Sequence, residues 1–491
     1  MARIAISATL GENWLEDYYD TESLEVLTTS ATKVVFRDDN GSSIVFTGKG
    51  MRFNDDGPTA GTVTGVSFVT VDGAKLITIT GGNYKATEGF RAYDENESIF
   101  DLMTFLTAGN DTIVGSAGYD EIIIGSNAGN DTILGKGGED FIKGSAGNNR
   151  YDGGADFDVL TYQDTYFDKK NATKGVVVDL DKGTATNSWG GKDTLKNIEG
   201  VRGSYLRDII TGSGGDEQFM GLGGKDVIDG GGGWDRLRYD RDENFGGLKG
   251  VVVNLLKGTV KDGFGQIDSV KNIEEVRGTA FNDKFTGNSG DNLFQGGKGR
   301  DTYIGGAGSD TVRLETSGGV DHGARVDLRL ASGQIQDDGF GNRELARGIE
   351  NVEGTQAGDI IILGRFDGYA TGGDGDDTLV AGAGENWFAG GGGADIFIFM
   401  STRDSAAGTT KRDFIDDFSA AEGDKLDLSG LGAMNFVGRA GISGGTSQLA
   451  YAFNTDGNTI VSADIGGDGR ADLQFLLRGK IALTETDFIL L

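Results

Sequence analysis

The 491-residue chain contains no cysteine, one proline and one histidine. The absence of cysteine excludes disulfides and thiolate metal sites. It does not indicate whether the chain works in a reducing or an oxidising compartment. The single histidine, His322, excludes the HExxH motif that places two imidazoles on zinc. No apolar run approaches the roughly 18 residues of a spanning helix, so we expect a chain that does not cross a membrane.

Basic residues are also scarce, since 45 Lys and Arg stand against 76 Asp and Glu and the formal net charge is −31. This field would repel nucleic acids and anionic membrane surfaces, so neither is an expected partner, whereas cations are. The first 20 residues have no apolar core and carry acidic residues from Glu12 onward. We therefore expect no cleaved secretory signal there.

Glycine is abundant, at 87 residues, and much of it lies in nine-residue units such as GGKGRDTYI and GGAGSDTVR at 296–313. Glycine tends to occupy positions 1, 2 and 4, Asp position 6 and a large apolar residue position 8. We count 18 units in four blocks, at 106–161, 203–238, 278–313 and, with an interruption, 354–398. A flexible linker does not require an apolar residue at every eighth position, so the repeat indicates ordered structure.

The spacing within a unit predicts a turn followed by a short strand. Glycines permit left-handed backbone angles, and of residues 7 to 9 only position 8 points inward. With two units per coil, each turn stacks on the turn two units later, about 4.8 Å away. Two carboxylates at that distance repel by about 3 kcal/mol at an effective dielectric near 20. A cation between turns removes this repulsion, and a cage of oxygen atoms suits Ca²⁺ better than Mg²⁺.

We therefore predict multiple Ca²⁺ ions bound by the position-6 residues. Fourteen of the 18 units carry Asp there, and the others carry Asn149, Glu217, Asn292 and Asn386. The predicted metal ligands are Asp111, Asp120, Asp131, Asp140, Asp158, Asp208, Asp226, Asp235, Asp283, Asp301, Asp310, Asp359, Asp377 and Asp395.

This GGxGxDxUx pattern resembles the RTX family of calcium-binding repeats. The resemblance implies an all-β chain built as a parallel β-roll, or β-solenoid, with Ca²⁺ in its turns. It also implies a Gram-negative source, a type I (ABC) exporter as partner and folding outside the cell. The segments at 394–399, 413–431 and 464–479, with the terminal TETDFILL, resemble the serralysin-type C-terminal domain and its uncleaved export signal.

The expected domains follow the four blocks. A β-rich N-terminal region ends in a short capping helix near residues 99–106, and each later block follows a spacer of roughly 40 residues, which is either structural or a partner-binding loop. The boundaries are 1–105 for the N-terminal region, 106–161 for block 1, 162–238, 239–313 and 314–398 for spacers with blocks 2, 3 and 4, and 399–491 for the C-terminal region.

We identify no catalytic residues and expect no enzyme. A GxSxG match centres on Ser443, but such matches arise readily among 87 glycines and the flanking sequence does not indicate a strand entering a helix. Asp464, Asp468 and Asp472 could hold a further cation, although Phe475 replaces the final Glu of an EF-hand loop.

The expected function is that of a secreted, calcium-folded structural protein. It would self-associate at the cell surface or in the extracellular matrix as a surface layer, filament or adhesin. The alternatives are a soluble calcium-binding effector that binds host, membrane or cell-surface polysaccharide, and an enzyme of unrecognised type.

Overall fold

The computed structural model describes most of the chain, in two compact units: Met1–Leu237 with Gln266–Ile273, and Arg238–Gly265 with Glu274–Leu491. The described residues are 3–6, 25–54, 57–73, 75–88, 109–122, 129–163, 172, 174–314, 319–408 and 412–491. The capping helix predicted near 99–106 lies outside them. Within the described residues, no helix has the length and apolar character needed to span a bilayer.

An antiparallel sheet forms the N-terminal region, as its alternating apolar runs predict. Its strands are β1 (Arg3–Ile6), β2 (Glu25–Thr29), β3 (Lys33–Arg37), β4 (Ser43–Asn54), β5 (Gly57–Val69) and β6 (Lys75–Lys85). Strands β2 to β6 pair in sequence order, and β6 also pairs with β1. The inward side chains include Phe46, Phe68 and Ile79, all fully buried or nearly so. Strand β1 also pairs in parallel with β7 (Thr112–Val114), the first strand of the repeats.

Short strands form the rest of the first compact unit of the structure. They are β8 (Glu121–Ile122), β9 (Thr132–Gly137), β10 (Phe141–Lys143), β11 (Arg150–Ala155), β12 (Val159–Thr161), β13 (Val177–Asp179), β14 (Thr184–Thr186), β15 (Lys192–Lys196), β16 (Gly200–Arg202), β17 (Ile209–Thr211), β18 (Gln218–Met220), β19 (Val227–Asp229), β20 (Arg236–Arg238) at the boundary, and β23 (Ile267–Lys271).

The second compact unit of the structure is likewise built of short strands. Its strands are β21 (Val252–Asn254), β22 (Thr259–Lys261), β24 (Glu275–Arg277), β25 (Lys284–Thr286), β26 (Leu293–Gln295), β27 (Thr302–Ile304), β28 (Thr311–Arg313), β29 (Arg325–Asp327), β30 (Ile335–Asp337), β31 (Leu345–Arg347), β32 (Asn351–Glu353), β33 (Ile360–Ile362), β34 (Gly368–Asp374), β35 (Thr378–Val380), β36 (Asn386–Gly392), β37 (Ile396–Ile398), β38 (Phe414–Ile415), β39 (Lys425–Asp427), β40 (Asn435–Gly438), β41 (Gln448–Phe453), β42 (Thr459–Asp464), β43 (Leu473–Leu477) and β44 (Phe488–Ile489). Among its described residues, 3₁₀ turns span Asp242–Phe245, Ser429–Leu431 and Glu485–Asp487.

Strand register confirms the parallel β-roll with two units per coil. Phe285 pairs with Tyr303, and Phe294 pairs with Val312, in each case 18 residues or two units later. The rings of Phe285 and Tyr303 stack with centroids 5.3 Å apart. The position-8 side chains of all 18 units are at most 3% exposed. The repeated apolar residue is therefore the core of the roll.

The spacers continue the roll and insert an antiparallel strand into it. In the first spacer, Val178 on β13 pairs in parallel with Ile210, while Leu195 on β15 pairs in parallel with Tyr151. Strand β14 lies between β13 and β15 and is antiparallel to both. The alternating apolar run at 176–180 thus forms a strand, of which Val177–Asp179 is in the ladder.

The stacking continues beyond the last counted unit. Phe388 pairs with Ile415, and Phe397 pairs with Leu426, before the chain enters the antiparallel strands β41 to β43. Strand β43 pairs in parallel with β38, and the Phe399 and Phe475 rings stack at 4.3 Å. The C-terminal strands are thereby joined to the last coils.

Candidate metal centres along the turns

Position-6 carboxylates link successive coils by a repeated hydrogen bond. One oxygen accepts the main-chain N–H of the position-6 residue 18 residues earlier. Asp301 Oδ1 accepts from Asp283 at 2.7 Å, and Asp158 Oδ1 accepts from Asp140 at 2.8 Å. Each turn therefore stacks on the turn two units away, as predicted: Asp301 contacts the turn of Asp283.

The other oxygen is buried, and in several turns it has no hydrogen-bond donor. This holds for Oδ2 of five position-6 residues, Asp131, Asp140, Asp158, Asp310 and Asp377. All five side chains are at most 2% exposed. A buried carboxylate oxygen without a donor is costly, because it has lost its water and gained nothing in return.

Glycine serves two purposes in the turn of Asp301. The glycines at positions 2 and 4, Gly297 and Gly299, adopt left-handed angles with φ of 86° and 126°. The position-1 glycine is needed for space instead: a Cβ on Gly296 would fall inside contact distance of Asp301 Oδ2. Gly296 itself has no positive φ, so the left-handed angle that glycine permits is not used at position 1 of this turn.

Burial dominates the electrostatics of the turns. The pKa of Asp140 is raised to about 7, chiefly by burial and to a lesser extent by the neighbouring carboxylates Asp158 and Asp120. Burial likewise raises the pKa of Asp283 to about 7 and that of Asp377 to about 8. Rows of buried carboxylates with raised pKa values indicate that the ionised form lacks a positive partner.

Main-chain carbonyls complete the donor set. Within the described residues, no group of three or more His, Asp or Glu side chains converges closely enough to hold a metal. An ion between turns would thus be held by one or two carboxylates together with carbonyls of the glycine turn. Such an all-oxygen set is what Ca²⁺ accepts with flexible geometry, so the residues fit this ion.

All 14 predicted ligands lie in the described turns and are buried. The structure adds acidic residues that the repeat count missed, because they lie in spacers or beyond the last block. Each occupies position 6 of a degenerate unit and accepts the amide of a counted residue. They are Asp193, Glu199, Asp268, Glu344, Glu350, Asp413 and Asp424.

Other sequence candidates form local contacts. The loop at 464–472 uses its own amides: Asp464 accepts from Gly467 and Gly469, and Asp472 accepts from Ile465 at 2.8 Å. The His322 Nε2 lies 2.9 Å from an Asp337 oxygen. The Ser443 hydroxyl contacts the Gln448 side chain.

Comparison with known families agrees with these sites. The model of the RTX calcium-binding nonapeptide repeat matches four segments, 106–123, 126–160, 211–245 and 277–312. The model named Peptidase M10 serralysin C terminal matches residues 341–490. No match was found among curated proteins.

Two similar solved structures are subunits of a mannuronan C5-epimerase from Azotobacter vinelandii. The solution structure of the AlgE6R2 subunit of its mannuronan C5-epimerase is 26% identical, covers 37% of this chain and 91% of that chain, and has a TM-score of 0.21. The AlgE6R3 subunit of the epimerase is 20% identical, covers 43% and 78%, and has a TM-score of 0.19.

The turns and strands therefore form a calcium-binding parallel β-roll. The chain carries RTX repeats that bind multiple Ca²⁺ ions, followed by a segment of the serralysin C-terminal type. Together these parts support a secreted calcium-binding RTX protein. Neither matched model is a catalytic domain.

Proposed function

We propose that the chain leaves the cell unfolded through a type I exporter, folds when Ca²⁺ enters its turns, and then serves as a structural protein of the cell surface or extracellular matrix. The observation that carries calcium-driven folding is the row of buried carboxylate oxygens without donors. The 14 position-6 Asp residues, supplemented by the spacer carboxylates and turn carbonyls, are the proposed ligands.

Calcium concentration decides where such a chain folds. With a Kd of about 10⁻⁴ M per site, millimolar Ca²⁺ stabilises by about 1.4 kcal/mol per site, whereas micromolar Ca²⁺ contributes almost nothing. Ten sites would give roughly 14 kcal/mol, which is comparable to the stability of a whole domain. Because micromolar Ca²⁺ inside the cell does not stabilise the fold and millimolar Ca²⁺ outside does, the chain would be exported before it folds.

Self-association is supported by an exposed apolar segment at residues 248–256, in the second spacer. Leu248, Val252 and Leu256 are 69%, 45% and 71% exposed within nine residues. Large apolar side chains grouped on a surface favour contact with another protein. A second copy of the chain is the proposed partner.

Electron microscopy of the purified chain with and without 2 mM Ca²⁺ tests assembly. We expect arrays or filaments only with Ca²⁺, and their loss in the variant L248S/V252T/L256S. That variant should keep the calcium-dependent circular dichroism of the unaltered chain. Monomers in both conditions would refute the structural role.

The second candidate function is binding of polysaccharide by a soluble effector. Trp234 and Trp387 are 40% and 41% exposed. Exposed aromatic rings can stack on sugars. Retention of calcium-loaded monomers by polysaccharide, lost in W234A and W387A, would favour this function.

We propose no catalytic role. In the described residues, the His322 imidazole is hydrogen-bonded to Asp337 and the Ser443 hydroxyl to the Gln448 side chain. Turnover of any substrate that H322A abolishes, with calcium folding intact, would overturn this proposal.

A further inference from the structure

An amide nitrogen lies within a cage of oxygen atoms where the first spacer joins block 1. Asn187 Nδ2 lies 2.9 Å from the Gly147 carbonyl oxygen, 3.3 Å from the Ser145 carbonyl oxygen, and 3.2 and 3.3 Å from the two carboxylate oxygens of Asp193. Ser145 and Gly147 are positions 2 and 4 of a repeat turn. Turn carbonyls and a carboxylate are the ligands expected around a cation in this roll.

The remaining contacts make this first-spacer junction complete without an ion. Asn187 Oδ1 accepts from Trp189 at 3.2 Å and from Gly191 at 2.8 Å. Asp193 Oδ1 accepts the Asn149 amide at 2.8 Å, and Asp193 Oδ2 accepts the Tyr162 hydroxyl at 3.0 Å. Every carboxylate oxygen of the junction therefore has a donor.

The third spacer builds an equivalent junction from Asp301, Asp338 and Glu344. Asp338 Oδ1 accepts from residues two and four positions later, Phe340 and Asn342, both at 2.9 Å, as Asn187 does. Glu344 Oε1 accepts the Asp301 amide at 2.9 Å, as Asp193 accepts that of Asn149. The backbone framework of the two junctions is thus the same.

The donors of the first junction are replaced in the third. Asp301 and Asp338 stand where Asn149 and Asn187 stand, so the formal charge of the three residues changes from −1 to −3. Leu314 replaces Tyr162 and removes the hydroxyl. Glu344 is 4% exposed, and its Oε2 is buried without any hydrogen-bond partner.

A nearby arginine does not supply the missing positive partner. Arg300 Nε donates to the Arg343 carbonyl oxygen at 3.2 Å. Within the described part of the chain, no ion pair joins Arg300 to Glu344. The third-spacer junction is therefore a buried acidic site in which Glu344 Oε2 has no hydrogen-bond partner, whereas Asp338 Oδ2 accepts from Asn342 Nδ2 at 3.0 Å.

We propose that the third-spacer junction binds one Ca²⁺ through Asp338, Glu344 and the turn of Asp301, and that the Asn187 amide substitutes for this ion at the first-spacer junction. The inference rests on the proposed calcium folding and adds ligands outside the counted repeats. The carbonyl that corresponds to Gly147 belongs to Gly299, and both glycines are left-handed, with φ of 105° and 126°.

Native mass spectrometry of the full chain in calcium tests the proposal by counting bound ions. D338N should bind one Ca²⁺ fewer than the unaltered chain and still fold, because Asn187 shows that an asparagine makes the same turn. E344Q should also lose one ion. N187D should bind one more ion and require more calcium to fold. D321N, an exposed aspartate of the same spacer, is the matched control and should keep the original count.

An unchanged count in D338N and E344Q overturns the inference, and so does an unchanged count in N187D. If D338N does not fold, the numbers of Ca²⁺ ions bound by E344Q and N187D decide whether the inference holds. Failure of the unaltered chain to bind any Ca²⁺ would instead refute the proposed function itself. The two failures are therefore distinguishable.

Discussion

Removal of calcium at neutral pH should unfold the roll, and the structure gives the magnitude. Burial raises the pKa of Asp283 from 3.8 to about 7, and this side chain is 3% exposed. A rise of about three units means that ionising this carboxyl costs the fold about 4 kcal/mol. Asp140, Asp310 and Asp377 have pKa values raised to about 7, 7 and 8. A few such costs equal the ~5–15 kcal/mol that holds a domain folded.

The same shifts fix the direction of the pH dependence. A carboxyl whose pKa is raised by folding stabilises the folded state in its protonated form. That contribution is complete below about pH 4 and is lost as the pH rises through about 7. The calcium-free chain should therefore form strands at pH 4.5 and lose them at pH 7.5. Calcium should restore them at pH 7.5, because it replaces the protons.

Far-UV circular dichroism in chelating-resin-treated buffers measures this effect, and a thermal melt at each pH gives the stability. D377N is the informative variant, since it removes one buried charge and keeps the oxygen that accepts the Asp359 amide at 2.6 Å. It should stabilise the calcium-free chain at pH 7.5 but not at pH 4.5. An equal strand signal and equal melting temperature with and without calcium at pH 7.5 would refute the reasoning.

Three further changes test single turns. D301A should increase hydrogen exchange in the coil of Asp283 more than in the coil of Asp310, because its carboxylate accepts the Asp283 amide. K136G should raise the melting temperature by a few degrees, since Lys136 is held at φ 87° at a strain of about 1–2 kcal/mol. G296A should destabilise by up to about 3 kcal/mol and weaken calcium binding, because its Cβ would overlap the Asp301 carboxylate.

Matched substitutions outside the strained or crowded positions separate the effects of turn geometry from the general effect of adding or removing a side chain. G214A is the control for G296A, since a Cβ there meets nothing within 4 Å and the backbone is not left-handed. K225G is the control for K136G, because Lys225 is exposed in a turn and has no positive φ. A loss in G214A as large as in G296A, or a gain in K225G as large as in K136G, would contradict the turn geometry.

The roll itself could be predicted because its signal is local. Position 8 of the nine-residue unit always points inward, so the same pattern places Ile113 in the core of the first compact unit and Phe397 in the core of the second. The pairing of Leu195 with Tyr151 could not be predicted in this way. The inserted strand β14 breaks the period, and which turn the spacer returns to is decided by packing.

The missed carboxylates carry a weaker form of the same signal. Asp193 and Asp268 each stand two residues before a buried Leu or Val, as position 6 stands before position 8. The glycines that mark a repeat are incomplete there, so the units escape a count that depends on glycine. An acidic residue two positions before an inward apolar residue is the more general indicator of this turn.

Asparagine at position 6 shows which part of the turn requires calcium. Asn149 Oδ1 accepts the Asp131 amide at 2.8 Å, so asparagine makes the hydrogen bond between coils as well as aspartate does. Its Nδ2 donates to the Ser145 carbonyl oxygen at 3.1 Å. Stacking alone would therefore favour the uncharged residue, which avoids repulsion between turns. Where the second oxygen of the aspartate has no donor, as at Asp140 and Asp377, a cation bound by that oxygen is the physical reason for aspartate in place of asparagine.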